Sequence, residues 1–123
     1  MIGYVTLGTN DIKRAAKFYD ELLGEIGAKR IMEGDTFIAW GHSMDRPSLG
    51  VIKPHNGNPA TWGNGTMVAL VMDSKEKVDL LYKKAISLGA IDEGAAGPRG
   101  DQFYAGYFRD PDGNKLNCFC MSM

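Results

Sequence analysis

Cysteine and histidine are scarce in this chain, with two of each among 123 residues. Cys118 and Cys120 are two apart on one face of an apparent strand. Neighbours on one face are poorly placed for a mutual disulfide, and Cys-x-Cys alone supplies too few ligands for structural zinc. Small buried hydrophobes is the expected role for both, and the lack of a disulfide framework fits a reducing compartment, the cytoplasm. His42 and His55 fall in loop-like segments, and neither has a histidine at i+2 or i+4 with which to make a metal pair. Charge of one sign is missing too: 14 Lys and Arg stand against 15 Asp and Glu, a net charge of −1. A nucleic-acid binder of this size shows a basic excess or stripe, so no nucleic-acid partner is expected. No apolar run approaches the ~20 residues needed to span a bilayer, and no signal-peptide pattern opens the chain, so no membrane partner is expected either. Ser43, Ser48, Ser74, Ser87 and Ser122 lack a nucleophile-elbow context.

What is present is a single-domain composition, 44% apolar and 24% charged, with enough chain to bury a core. It is organised as a repeat. YVTLGTND at Tyr4 precedes an amphipathic stretch from Ile12 to Ile26, with Ala15, Ala16, Phe18, Tyr19, Leu22 and Leu23 at three- and four-residue spacing. Asn10 or Asp11 supplies an N-cap. MVALVMDS at Met67 precedes a second such stretch, Lys75 to Leu88, with Val78, Leu81, Tyr82, Ala85 and Leu88. There Asp73 and Glu76 have capping-box spacing. Tyr4, Val5, Leu7 and Tyr19 fall on Met67, Val68, Leu70 and Tyr82 at an offset of 63. A repeat of half the chain means two copies of one supersecondary unit.

Extended segments follow each helix: Lys29–Met32, Thr36–Trp40 and Leu49–Lys53, then Ile91–Glu93, Phe103–Arg109 and Lys115–Cys120. Gly41–Ser48 and Gly94–Asp101 read as loops, the latter (GAAGPRGD) as a flap at a pocket mouth. It is not a phosphate loop, because no Lys-Ser/Thr follows and no helix starts there. Each half is thus β-α-β-β-β. Module one covers about 1–54, a linker about 55–64, and module two about 65–123.

The closing hairpin, FYAGYFRDPDGNKLNCF, has explicit turn chemistry in Asp110-Pro111-Asp112-Gly113-Asn114. Beyond it, Leu116, Cys118 and Cys120 alternate with Lys115, Asn117 and Phe119. The apolar set suits the helix-facing side, with Val5, Leu7, Val68 and Leu70. Tyr4, Thr6, Met67, Ala69, Lys115, Asn117 and Phe119 then share the opposite side. A mixed aromatic, apolar and amide surface suits a small organic ligand. For Phe103–Arg109 the sequence leaves open which of its two faces is on that side. Arg109 and Arg99 could clamp an anion, or Arg109 could make a local ion pair.

The doubled βαβββ unit, the opening YVTLGTND and the closing YFRDPDGNKLN resemble the vicinal-oxygen-chelate superfamily, which includes glyoxalase I, extradiol dioxygenases, and fosfomycin- and bleomycin-resistance proteins. The resemblance covers essentially the whole chain. It implies an α+β fold in which the two modules form a curved mixed sheet around a concave cavity, with helices on the outer face. It is nearly silent about the reaction. In metal-dependent members each module gives one ligand from its first strand and one from its last. The matching positions here are Tyr4, Met67 and Asn117, with the fourth on the strand through Leu49–Lys53, where Lys53 or Ile52 is the match. A phenol, a thioether and an amide are poor ligands for zinc, nickel or iron, which want imidazole and carboxylate. The resemblance therefore implies a metal-free binder of a small organic molecule, like the bleomycin-resistance branch, and a homodimer. The alternative is a glyoxalase-like lyase, isomerase or dioxygenase with relocated ligands such as His42, His55 and Glu33, or with Tyr4 as a metal-free acid–base group.

Overall fold

A computed structural model describes residues 1–122. They divide into two compact units, one covering Met1–Trp62 and the other starting at Gly63. The first unit runs β1 (Tyr4–Gly8), α1 (Ile12–Gly24), β2 (Lys29–Glu33), β3 (Phe37–Gly41) and β4 (Ser48–Ile52). The second runs β5 (Val68–Val71), α2 (Lys75–Ser87), β6 (Ile91–Pro98), β7 (Phe103–Arg109) and β8 (Lys115–Met121). The sheets have the same plan, β1-β4-β3-β2 and β5-β8-β7-β6. The first strand of each lies parallel to the last, and the other pairings are antiparallel. A parallel pair needs a crossover connection, and the helix and two intervening strands supply it. The architecture is α+β, two βαβββ modules.

In α1 the periodic side chains Ala15, Ala16, Phe18, Tyr19, Leu22 and Leu23 are all buried. Each large one contributes roughly 1.5–3 kcal/mol by leaving water. Asp11 is the N-cap, its carboxylate accepting from the Arg14 amide at 3.0 Å. The cap of α2 differs from the capping-box expectation. Ser74 holds that position and accepts from the Lys77 amide at 3.2 Å, while Asp73 pairs with the Lys77 ammonium at 3.2 Å. A serine at the cap itself outcompetes an aspartate one residue too early.

Gly94–Pro98, read from sequence as part of a loop, belongs to β6. The glycines that suggested a flap instead accommodate register shifts against β7, between Asp92 and Gly94 and between Gly94 and Gly97. The closing turn forms as its residues require. Gly113 takes φ +90°. One Asp110 carboxylate oxygen accepts from the Asp112 and Asn114 amides, both at 2.9 Å, and the other from the Asn114 side chain at 3.0 Å.

Candidate functional site

Pairing register fixes which residues share a face. In the second unit the Cys118 thiol lies 3.5 Å from the Val78 carbonyl of α2, and a Cβ at Gly106 would come within 2.9 Å of the Tyr82 ring. Both residues therefore face the helix, as do Phe108 and Leu116, which are fully buried. The opposite, open face follows by alternation and by the pairings Ala69–Asn117, Val71–Phe119, Tyr107–Asn117, Ala105–Phe119 and Arg109–Lys115. Phe103, Ala105, Tyr107 and Arg109 thus share a face with Asn117, a choice the sequence left open.

In the first unit Trp40, 1% exposed, donates its indole N–H to Asp20 of α1 at 2.8 Å, which sets the helix side of that sheet. Phe37, Ala39 and Gly50 then share the open face with Tyr4 and Thr6. The two modules match through their first strands. Val5 sits opposite Leu49, and its counterpart Val68 opposite Leu116. The counterpart of Asn117 is therefore Gly50. The expectation of Lys53 or Ile52 at the fourth position is corrected: β4 ends at Ile52, and the residue paired with Thr6, as Asn117 is with Ala69, is Gly50, two residues before Ile52.

The six residues picked from sequence divide between the units. Tyr4 and Thr6 stand on the open face of the first, exposed, with the Tyr4 ring edge-on to Phe37 at 6.3 Å. Met67 lies one residue before β5 and is 40% exposed. Lys115, Asn117 and Phe119 are brought together on the open face of the second unit. There Phe119 stacks on Phe103 with ring centroids 5.3 Å apart and an interplanar angle of 20°.

Asn117 is the chemically unusual member. It is 2% exposed, and its side-chain carbonyl oxygen is buried without a hydrogen-bond partner. Such an atom carries the full desolvation cost of an unmade bond, on the order of 1–3 kcal/mol. Sequence reasoning singled out Asn117 but missed Tyr107, whose ring has the Lys115 ammonium 5.6 Å and the Arg99 guanidinium 5.4 Å from its centre. The pairing of Tyr107 with Asn117 was the only signal that could have found it, and it depended on the β7 register. Arg109 makes the local pair, to Glu93 at 2.7 Å, and also donates to the Gly113 carbonyl at 2.7 Å.

The positions at which the resemblance implies metal ligands carry Tyr4, Met67 and Asn117, with Gly50 as the counterpart of Asn117 in the first unit. A hydrogen, a thioether, an amide and a phenol do not fit a divalent transition metal. His42, His55 and Glu33, the residues a relocated site would recruit, are exposed. Among the described residues no three His, Cys, Asp or Glu side chains cluster in a way that could hold a metal ion.

Two surface grooves lie on the helix sides. One, of about 490 Å³, is bordered by Tyr82, Ile86 and Ala95, and the other, of about 480 Å³, by Lys17, Asp20 and Arg30. None of the six predicted residues borders either. Burial raises the Tyr82 phenol to about 12, with help from its 2.7 Å bond to Asp92. Burial also raises the Cys118 thiol to about 11, which makes it a packing group rather than a nucleophile.

Two repeated βαβββ modules, each with one sheet face packed on a helix and the other left open, define the class of small paired-module α+β proteins. The family model of the Glyoxalase/Bleomycin resistance protein/Dioxygenase superfamily matches residues 1–118, and the chain belongs to that superfamily. A glyoxalase/bleomycin resistance protein from Albidiferax ferrireducens T118 is 33% identical, with a TM-score of 0.90 over 99% of both chains. A glyoxalase/bleomycin resistance protein/dioxygenase family enzyme from Burkholderia phytofirmans PsJN shares the fold at 22% identity, with a TM-score of 0.78 over 98% of both chains. So does a lactoylglutathione lyase from Agrobacterium tumefaciens, at 19% identity and a TM-score of 0.71, covering 98% of this chain and 92% of that one. No curated protein matches the chain. No helix is long and apolar enough to cross a membrane among the described residues.

Proposed function

We propose that this chain is a glyoxalase/bleomycin-resistance-like protein that binds a small organic molecule on its open sheet faces, without the metal that many relatives use. The carrying observation is Asn117, a buried amide oxygen with no partner, at the position where the family resemblance implies a metal-binding carboxylate in metal-dependent members. Natural structures rarely leave such an atom unmatched, and each one calls for an explanation, a group bound at the site among them. The surrounding aromatic and apolar side chains, Phe103, Tyr107 and Phe119, suit an organic ligand held by few polar anchors.

The protein works as a homodimer in the cytoplasm on this reading. β1 and β5 are edge strands of the sheets in their own units, and a second copy can cover such an edge. The two cysteines are free and buried, which suits a reducing compartment.

Metal analysis of purified protein, with thermal-shift titrations of Zn²⁺, Ni²⁺, Mn²⁺ and Fe²⁺, tests the metal-free part. The expected result is substoichiometric metal and no shift. Stoichiometric metal, or a shift abolished by His42→Ala or His55→Ala, would replace it with the metal-dependent lyase, isomerase or dioxygenase reading. A library of neutral, anionic and cationic small molecules, screened against the native protein and against Asn117→Leu and Tyr4→Ala, tests the binding part. Affinity unchanged in both variants removes these faces as the site.

A further inference from the structure

The chemistry around Asn117 also limits what the ligand can be, and the following rests on the reading that this face binds a small molecule. The orphan atom is a carbonyl oxygen, so its missing partner is an O–H or N–H donor. The charge beside it is positive. Lys115 precedes Asn117 by two residues on the same face, and it and Arg99 flank the Tyr107 ring. The carboxylate of Glu93 is taken up by Arg109 at 2.7 Å. Among the described residues neither Lys115 nor Arg99 pairs with a carboxylate. The Arg99 guanidinium donates instead to the Gly97, Pro98 and Ala95 carbonyls at 3.0, 3.3 and 2.7 Å. These bonds hold it beside Tyr107 and leave its charge uncompensated. Gly94 makes room for that placement: a Cβ there would come within 3.2 Å of the guanidinium and 3.3 Å of the Tyr107 ring. Phe119 and Phe103 form a stacked aromatic surface beyond Asn117. The oxygen is buried, so reaching it requires a flanking side chain of this face to move.

We infer that the open face of the second unit takes a small aromatic anion that also carries an O–H or N–H donor. The donor meets the Asn117 carbonyl oxygen, the anionic group meets Lys115 and Arg99, and the ring lies against Phe119. A cationic ligand is disfavoured here, because it would be placed against two uncompensated positive charges.

Four probes separate the elements: 4-hydroxybenzoate, benzoate without the donor, 4-hydroxybenzamide without the charge, and tyramine with the charge reversed. Each is titrated into uniformly ¹⁵N-labelled protein and followed by amide chemical shifts. 4-Hydroxybenzoate should perturb the Asn117 side-chain amide together with β7 and β8, and bind about tenfold or more tighter than tyramine. Lys115→Met should weaken 4-hydroxybenzoate about tenfold and leave 4-hydroxybenzamide unchanged. Asn117→Leu should reduce 4-hydroxybenzoate to the affinity of benzoate. If tyramine or 4-hydroxybenzamide binds this face as tightly as the anion, the anionic class is wrong while small-molecule binding stands. If no probe perturbs the face, the inference fails, and the unbiased library decides separately whether the face binds anything.

Discussion

The ring of Phe37 lies over Gly50 so closely that a Cβ built there would come within 2.7 Å of Cε1 and 3.1 Å of Cζ. Gly50 is the counterpart of Asn117, so the modules have diverged at matching positions. One fills its open face with an aromatic ring, and the other keeps an amide. Gly50→Ala should destabilise by about 1–3 kcal/mol through overpacking. In a Phe37→Ala background the same change should be nearly neutral, a coupling read from urea unfolding of the four proteins. Additive penalties would show that the Ile38 carbonyl, 3.2 Å from the same Cβ, sets the cost instead.

Asp20 ties α1 to the sheet of the first unit. Its carboxylate accepts from Arg30 at 2.8 and 2.9 Å and from the Trp40 indole at 2.8 Å. The Arg30 hydrogen bonds, opposed by partial burial and supported by Trp40, hold the carboxyl below its ordinary pKa. The folded value lies below the unfolded one, so this contribution is complete above about pH 5 and is lost as the pH falls below about 4. Asp20→Ala strands the buried indole N–H and should cost about 1–3 kcal/mol at pH 7. The partly exposed ion pair adds at most about 1 kcal/mol. Asp20→Asn, which keeps an acceptor, should cost less and flatten the loss of stability between pH 5 and pH 3. Urea midpoints across that range check both.

Much of the architecture was legible because it rests on local chemistry. The period of Ala15, Phe18, Tyr19 and Leu22 gave α1, and the DPDGN turn with its alternating strand gave β8 and the face of Asn117. Residues whose roles depend on long-range pairing were not legible. Gly50 becomes the counterpart of Asn117 only through the parallel register of β1 on β4, and Tyr107 its neighbour only through β7 on β8. Gly94–Pro98 misled for a related reason. Glycines that mark a loop locally also mark a bulged strand when a partner strand is present. The burial of Asn117 depends on tertiary surroundings, and no pattern along the chain encodes it.

Cys118 lies under α2 with its thiol raised to about 11 by burial. Thiolate is the reactive form, so native protein should react with a disulfide reagent at pH 7 much more slowly than a free thiol does. Both cysteines are buried and should react completely with the reagent only in denaturant. Rapid native-state labelling of Cys118, located by mass spectrometry, would show that the packing between α2 and β8 opens readily.

Asn117→Leu separates a structural amide from a ligand-binding one. A structural asparagine repays its burial with hydrogen bonds, and an apolar replacement then leaves its partners stranded and lowers stability. The Asn117 carbonyl oxygen has no partner to strand. Leucine of similar volume should remove a desolvation cost and gain apolar burial between Tyr107 and Ala69, its neighbours in the sheet. The expected result is stability unchanged or raised by about 1 kcal/mol, measured as a higher urea midpoint at constant slope. The same variant should lose affinity in the ligand titrations. A gain in stability paired with a loss of binding is the trade-off of a residue kept for function. A fall of 2 kcal/mol or more would make Asn117 a structural residue and remove the central support for a ligand at this face.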